Sequence, residues 1–154
     1  MASSSNSKVV CHRLLPSIAT VLQKCISQNH GAYKTYSIKN QTEFNQKVMQ
    51  SDHPVVVDFH ANWCDPCTKL TPRICALLDN SEDIDLAIID VEKNTELVDT
   101  FNIQSVPTVF TVRNGEIVHK FIGLVEANIL KSMVDTLKTK NTLNIKGEEV
   151  PEDT

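Results

Sequence analysis

The sequence predicts an α/β protein built on a central mixed sheet. Three observations carry this reading. Two short runs rich in β-branched residues, Pro54–His60 and Ile84–Asp90, read as buried strands. Between them apolar residues recur at Leu70, Ile74, Leu77 and Leu78, which is helical spacing. Farther on, Asn114-Gly115 separates two further strand-like stretches, the strongest short signal for a hairpin. Strands joined by helices are expected to run parallel, and the hairpin adds antiparallel strands.

In chain order, Tyr36–Ile38 reads as a short edge strand. Asn40–Gln50 reads as a helix: Asn40 can cap it, Glu43 stands three residues later, and Phe44 and Val48 share one face. Pro54–His60 is the first long strand, and Pro66–Asn80 the helix after it. Pro72 lies inside that helix, removes a hydrogen bond and is expected to kink it. Ile84–Asp90 is a second apolar strand, followed by a short helix at Thr95–Phe101. Thr108–Arg113 and Glu116–Ile122 form the hairpin. Glu126–Thr139 closes the domain as a helix with Ile129, Met133, Val134 and Leu137 facing inward. Functional residues in such sheets gather at the carboxyl ends of the strands.

At 154 residues, 41% hydrophobic and 22% charged, the chain has the size and balance of one globular domain with extensions. No apolar stretch approaches the length of a transmembrane helix. Five cysteines, an odd number, do not make a disulfide scaffold. Charge is unevenly spread. All 19 acids and ten of the 15 bases fall in residues 43–154, a net charge of −9 there. That acidic balance argues against nucleic-acid binding, which needs a basic footprint.

Residues 1–34 read as a mitochondrial transit peptide. They are acid-free and rich in serine (Ser3, Ser4, Ser5, Ser7). On a helical wheel Cys11, Leu14, Leu15, Ile18, Leu22, Cys25 and Ile26 oppose Arg13, Ser17, Thr20, Lys24 and Ser27. Pro16 divides the helix into two pieces. The rival readings are a secretory signal, whose apolar core Pro16, Ser17 and Thr20 would cut, and a plain disordered tail. The domain itself is expected over residues 35–140, and residues 141–154 form a polar, acidic tail that frays.

The chemistry concentrates at Trp63-Cys64-Asp65-Pro66-Cys67. Two cysteines two residues apart can close a redox ring, hold a metal, or form a static disulfide. Their place at a strand-to-helix junction favours redox work. The first N–H groups of a helix lack internal partners, and its dipole favours negative charge there. A thiolate at Cys64 is therefore stabilised, and the thiolate is the attacking species. Cys67 lies one turn inside, so Cys64 reads as nucleophile and Cys67 as resolving thiol. Structural zinc needs four ligands. His60 is near, but Cys75 lies roughly 12 Å along the helix from Cys67 and no second C-x-x-C exists, so no metal is expected. Cys75 reads as a small half-buried thiol off the apolar stripe. Asp58 stands inside an apolar strand, where burial raises a carboxyl pKa unless the side chain reaches water. Period two puts it on one face with Val56 and His60. Trp63, the only tryptophan, reads as a wall of a substrate groove beside the nucleophile, or as core packing.

Several motifs stand in register: Val-Asp-Phe at 57–59, Trp-Cys-x-Pro-Cys at 63–67, Pro72, Val-Pro-Thr at 106–108, Asn-Gly at 114–115 and Phe-x-Gly at 121–123. On these the chain resembles the thioredoxin family from about Tyr36 to Lys140, and its N-terminus resembles that of the mitochondrial members. The resemblance implies the thioredoxin fold, a central mixed sheet flanked by helices on both faces. It implies reduction of disulfides in other proteins, with no bound cofactor and with electrons arriving from NADPH through a flavoprotein, thioredoxin reductase. It implies disulfide-containing partners such as peroxiredoxins, a monomer, no nucleic acid and no membrane, and a place in the mitochondrial matrix, with the cytoplasm as alternative. Asp58 is then a proton relay to Cys67. Pro107 is expected cis beside the disulfide, although only about one X-Pro bond in twenty is. The Val106 backbone pairs with an extended substrate segment. Trp63, Pro66 and Gly123 complete the groove, Gly123 by letting a partner backbone approach. Asp65, His60 and Ile88 depart from the commoner family pattern, which has glycine, an aromatic and lysine there. A second functional class is a non-catalytic, redox-sensitive clamp using the same groove.

Overall fold

The computed structural model describes residues 33–79, 81 and 83–138. The expected transit peptide (but for its last two residues) and the acidic tail lie outside them. The elements are β1 (Thr35–Ile38), α1 (Gln41–Phe44, continued as a π-helical turn over Asn45–Met49), β2 (Val55–His60), α2 (Asp65–Leu78), β3 (Asp85–Asp90), α3 (Thr95–Thr100), β4 (Thr108–Arg113), β5 (Glu116–Ile122) and α4 (Ala127–Lys138). They form one five-stranded sheet in the order β1-β3-β2-β4-β5.

β2 is the central strand, and all six of its residues are buried. It pairs parallel with β3 and antiparallel with β4. Alternation along the strands then fills two cores. Val55, Val57, Phe59, Ala87, Ile89, Phe110 and Val112 pack under α1 and α3 with Phe44, Val48 and Leu97. Phe59 and Phe110 stack there with ring centroids 5.2 Å apart, and Phe101 lies 4.9 Å from Phe44. On the opposite face Val56, Leu86, Ile88 and Val109 meet Leu70, Ile74 and Leu78 of α2 and the inner residues of α4. Helices therefore cover both faces of a mixed sheet, as expected. Cys75 belongs to this second core and is 7% exposed, so it is buried rather than half-buried.

Local signals explain most boundaries. Asn40 Oδ1 accepts the Glu43 N–H at 2.9 Å and starts α1, while Glu43 Oε2 accepts from the Lys39 N–H at 3.1 Å. The reciprocal cap thus closes one residue earlier than in the usual box. Asn114 and Gly115 both take positive φ, 52° and 76°, which a tight hairpin turn of this kind requires. Buried Asn94 donates to the carbonyls of Ile38 and Asp90, tying the start of α3 to β1 and β3.

Two expectations need correction. β3 and β4 are joined through a helix, yet β4 runs antiparallel to β2. Six residues of α3 rise only about 9 Å, whereas six-residue strands span roughly 20 Å. The helix does not carry the chain back along the sheet. The chain enters β4 at the carboxyl end of β2, where Thr108 faces Phe59, and runs the other way. In α4 the inward stripe is Leu130, Met133, Val134 and Leu137, while Ile129 is 42% exposed. The stripe follows the i, i+3, i+4, i+7 rule from Leu130 rather than from Ile129. Leu130→Ala should therefore cost about 2–5 kcal/mol in urea unfolding, and Ile129→Ala within about 0.5 kcal/mol.

Candidate active site

The carboxyl end of β2 delivers the site. His60 closes the strand, Ala61–Trp63 turns the chain, and Cys64 opens α2 as its N-cap. Cys64 takes an extended conformation, φ −87° and ψ 99°, as a cap residue does. The Cys64 N–H donates to the Ala61 carbonyl at 3.2 Å, and the Cys67 N–H donates to Cys64 Sγ at 3.2 Å. Sulfur here fills the place of an ordinary capping oxygen. Cys64 and Cys67 are joined by a disulfide. Asp65 and Pro66 occupy the first turn, where proline loses no helical bond. Within the disulfide Cys64 is 3% exposed and Cys67 0%, so both are buried.

Asp58 lies on the α2 side of the sheet, fully buried, opposite Ile88 on β3 and Val109 on β4. Burial pushes its carboxyl up to about 6, and a hydrogen bond from Thr71 opposes that rise. The Thr71 Oγ1–H donates to Asp58 Oδ2 at 2.7 Å. Asp58 Oδ1 is buried with no hydrogen-bond partner among the described residues.

The loop before β4 closes the site. The Val106–Pro107 peptide bond is cis. Val106 packs against Ala61, Cys64 and Cys67, so this loop lies beside the disulfide. The Gly123 N–H donates to the Pro107 carbonyl at 2.7 Å, which brings the end of β5 to the same place. Gly123 takes φ +85°, and a Cβ there would meet nothing within 4 Å. Its backbone faces open space. Trp63 is 68% exposed, which rules out core packing for it, and Ile122 at 61% and Leu124 at 47% flank Gly123.

Residues 35–136 match the family model described as Thioredoxin. The chain belongs to the thioredoxin family. It is 34% identical over 104 residues to "Thioredoxin, mitochondrial" of Mus musculus, covering 67% of this chain and 63% of that protein. The aligned region thus spans less than two thirds of that relative's length. "Probable thioredoxin-2" of Caenorhabditis elegans is 38% identical over 108 residues, covering 70% of this chain and 74% of that one. Among solved structures, a thioredoxin variant from Halobacterium salinarum superposes with a TM-score of 0.65 at 28% identity, covering 73% of this chain and 97% of that chain.

Within this thioredoxin domain the structure brings together Trp63, Cys64, Pro66, Cys67, Val106, Pro107 and Gly123 at one end of the sheet, with Asp58 one layer beneath. The three unusual positions are also placed. Asp65 is exposed in the first turn of α2. Ile88 is the cross-strand neighbour of Asp58, so no cation stands opposite that acid on β3. His60 is 2% exposed, and burial holds its imidazole below the ordinary value against the opposing pull of Asp90. Among the described residues no group of three histidine, cysteine or acidic side chains converges as a metal site.

Sequence reasoning missed Thr71, Ile122 and Leu124. Thr71 carried a usable signal: it lies one turn after Cys67 on the same helix face, above the face of β2 that presents Asp58. Ile122 and Leu124 carried none, because exposed apolar residues are common.

Burial of Asp58 makes stability pH-dependent. Its folded value, about 6, exceeds the unfolded reference of 3.8, so the folded state holds the proton more tightly. Stability is fully present below the unfolded value and falls as pH rises through the folded one, by an amount on the order of 3 kcal/mol. Asp58→Asn should raise the melting temperature of the oxidised protein at neutral pH by roughly 5 °C or more. It should change it little near the unfolded pKa, as thermal melts across that range would show.

Proposed function

We propose that the chain is a thiol–disulfide oxidoreductase that reduces disulfides of other proteins and supports cell redox homeostasis. The observation that carries this is the Cys64–Cys67 ring at the start of α2, with the Cys67 N–H already directed at Cys64 Sγ. In the dithiol form that N–H and the helix start stabilise a Cys64 thiolate. The thiolate attacks a substrate disulfide. A bond forms between Cys64 sulfur and one substrate sulfur, and the other leaves as a thiolate that takes up a proton. The Cys67 thiol then gives its proton to Asp58, and its sulfur attacks Cys64 sulfur. The mixed disulfide breaks, the ring closes, and the second substrate sulfur leaves reduced. Two electrons have passed from the domain to the substrate.

The substrate segment lies in the groove bordered by Trp63, Pro66 and Gly123. It pairs along the Val106 backbone beside Pro107, as an added strand does. Electrons return from NADPH through a flavoprotein reductase of the thioredoxin reductase type. Disulfide-bearing proteins such as peroxiredoxins are the partner class, and the domain works as a monomer. The acid-free N-terminal segment and the mitochondrial relative in mouse support a place in the mitochondrial matrix. Residues 1–34 are then the transit peptide, 35–140 the working domain and 141–154 an acidic tail.

Reduction of insulin, coupled to a reductase and NADPH, tests this reading. Wild type should turn over, Cys64→Ser should abolish turnover, and Cys67→Ser should accumulate a mixed disulfide on Cys64. Stoichiometric capture by wild type without turnover would instead identify a redox-sensitive clamp. Brief alkylation of the reduced protein should label Cys64 ahead of Cys67, and the reverse order would exchange their roles.

Asp65 tunes the same centre. Its carboxylate stands in the first turn beside the nucleophile and disfavours the thiolate. Two charges roughly 6 Å apart in a half-solvated setting interact by about 1 kcal/mol. Asp65→Gly should lower the thiolate pKa and make the potential less negative by on the order of 20 mV. Ultraviolet titration and equilibration against glutathione would read both, and shifts of the opposite sign would refute the argument.

A further inference from the structure

Thr71 is fully buried in α2, one helical turn after Cys67 and thirteen residues along the chain from Asp58. A threonine inside a helix ordinarily turns its hydroxyl back to the carbonyl four residues earlier. Here the Oγ1–H donates instead across the layer to Asp58 Oδ2 at 2.7 Å. A hydroxyl has one proton to donate. The bond therefore settles which carboxylate oxygen is occupied, and Oδ1 is the one with no partner among the described residues. Cys67 and Thr71 lie at i and i+4, on one face of the helix.

We propose that Thr71 is a positioning residue of the resolving step: its hydroxyl holds Asp58 Oδ2 and keeps Oδ1 open to take the proton of Cys67. The proposal rests on the reading of Asp58 as proton acceptor given above. The physical basis is that a hydrogen bond donated to the ionised form favours that form. Burial alone would drive the carboxyl higher than about 6 and so reduce the share of carboxylate that can act as a base near neutral pH. The groups that face Asp58 from its neighbours are few. Ile88 and Val109 on β3 and β4 are apolar, α2 presents Thr71, and His60 stands two residues along its own strand on the same face. The Thr71 bond is the one influence that lowers the Asp58 value.

The test titrates Asp58 directly. The carboxyl C=O band of the oxidised protein is followed by infrared spectroscopy against pH and assigned with Asp58→Asn. Thr71→Val should raise the midpoint by about one pH unit, and Thr71→Ser should leave it near wild type. Thr71→Ala removes the same hydroxyl with a smaller side chain and should shift it likewise if the valine variant folds poorly. In stopped-flow resolution of a mixed disulfide, the acid limb of the rate profile should move with the midpoint. The valine variant should then be about twofold slower near neutral pH and about fivefold slower one unit below it. A midpoint unmoved in both the valine and alanine variants would overturn the proposal, and so would a serine variant that shifts as valine does. A midpoint that moves while the rate profile stays would overturn the relay role of Asp58, and with it the part of the proposal that reaches the reaction.

Discussion

The complete burial of β2 is the constraint on which the rest of the structure depends. A strand with neighbours on both edges and helices over both faces has no route to water for any side chain. Five of its six positions meet that condition with apolar groups or a histidine at the strand end, and the sixth is Asp58. The strand thus anchors two cores at once, and its carboxyl end is held rigidly between β3 and β4. That rigidity is what a reactive centre needs, because Cys64 stands only four residues past the strand and inherits its placement. The same burial that fixes the scaffold also sets the chemistry of Asp58, which keeps an elevated pKa because nothing charged opposes it across the sheet.

The cysteine centre is arranged before any substrate arrives. With the ring closed, the Cys67 N–H already donates to Cys64 Sγ, and Val106 already packs against the small buried cluster that holds the cysteines. The sulfur that would carry the thiolate charge is thus already capped by a backbone donor. Donors fixed in advance of the charge they serve cost no reorganisation at the moment of reaction.

Much of this was legible in the chain. The hairpin strands stood where Asn114-Gly115 placed them, because both turn residues must take positive φ and few others do so readily. The redox pair and the buried acid were legible because each breaks a local rule: two close cysteines, an acid in an apolar run. The cis form of Pro107 was legible only through the family resemblance carried by Val-Pro-Thr at 106–108. What escaped depends on partners distant in sequence. The direction of β4 turns on how far a six-residue helix can travel, the face of α4 on one residue's choice between two adjacent apolar positions. Thr71 carried its signal only jointly with Asp58 and Cys67, and its role became plain once Asp58 was placed beneath it. His60 stood out in the sequence only as a departure from the family aromatic, and its burial follows from the layers above it.

The strand order leaves β1 and β5 as the two margins of the sheet. Each margin is a row of backbone groups on which another extended chain can seat itself. β1 offers only four residues. β5 is longer and exposes Ile117 and Val118, but its pairing with β4 shifts register between Thr111 and Val112. Lys120 also lies over the Phe110 ring at 5.2 Å, setting a charge on that margin. An irregular pairing and a lysine are the devices by which edge strands resist templated growth. The side of the sheet is thereby guarded against chance strand pairing, while the cysteines stand apart from it at the sheet's end.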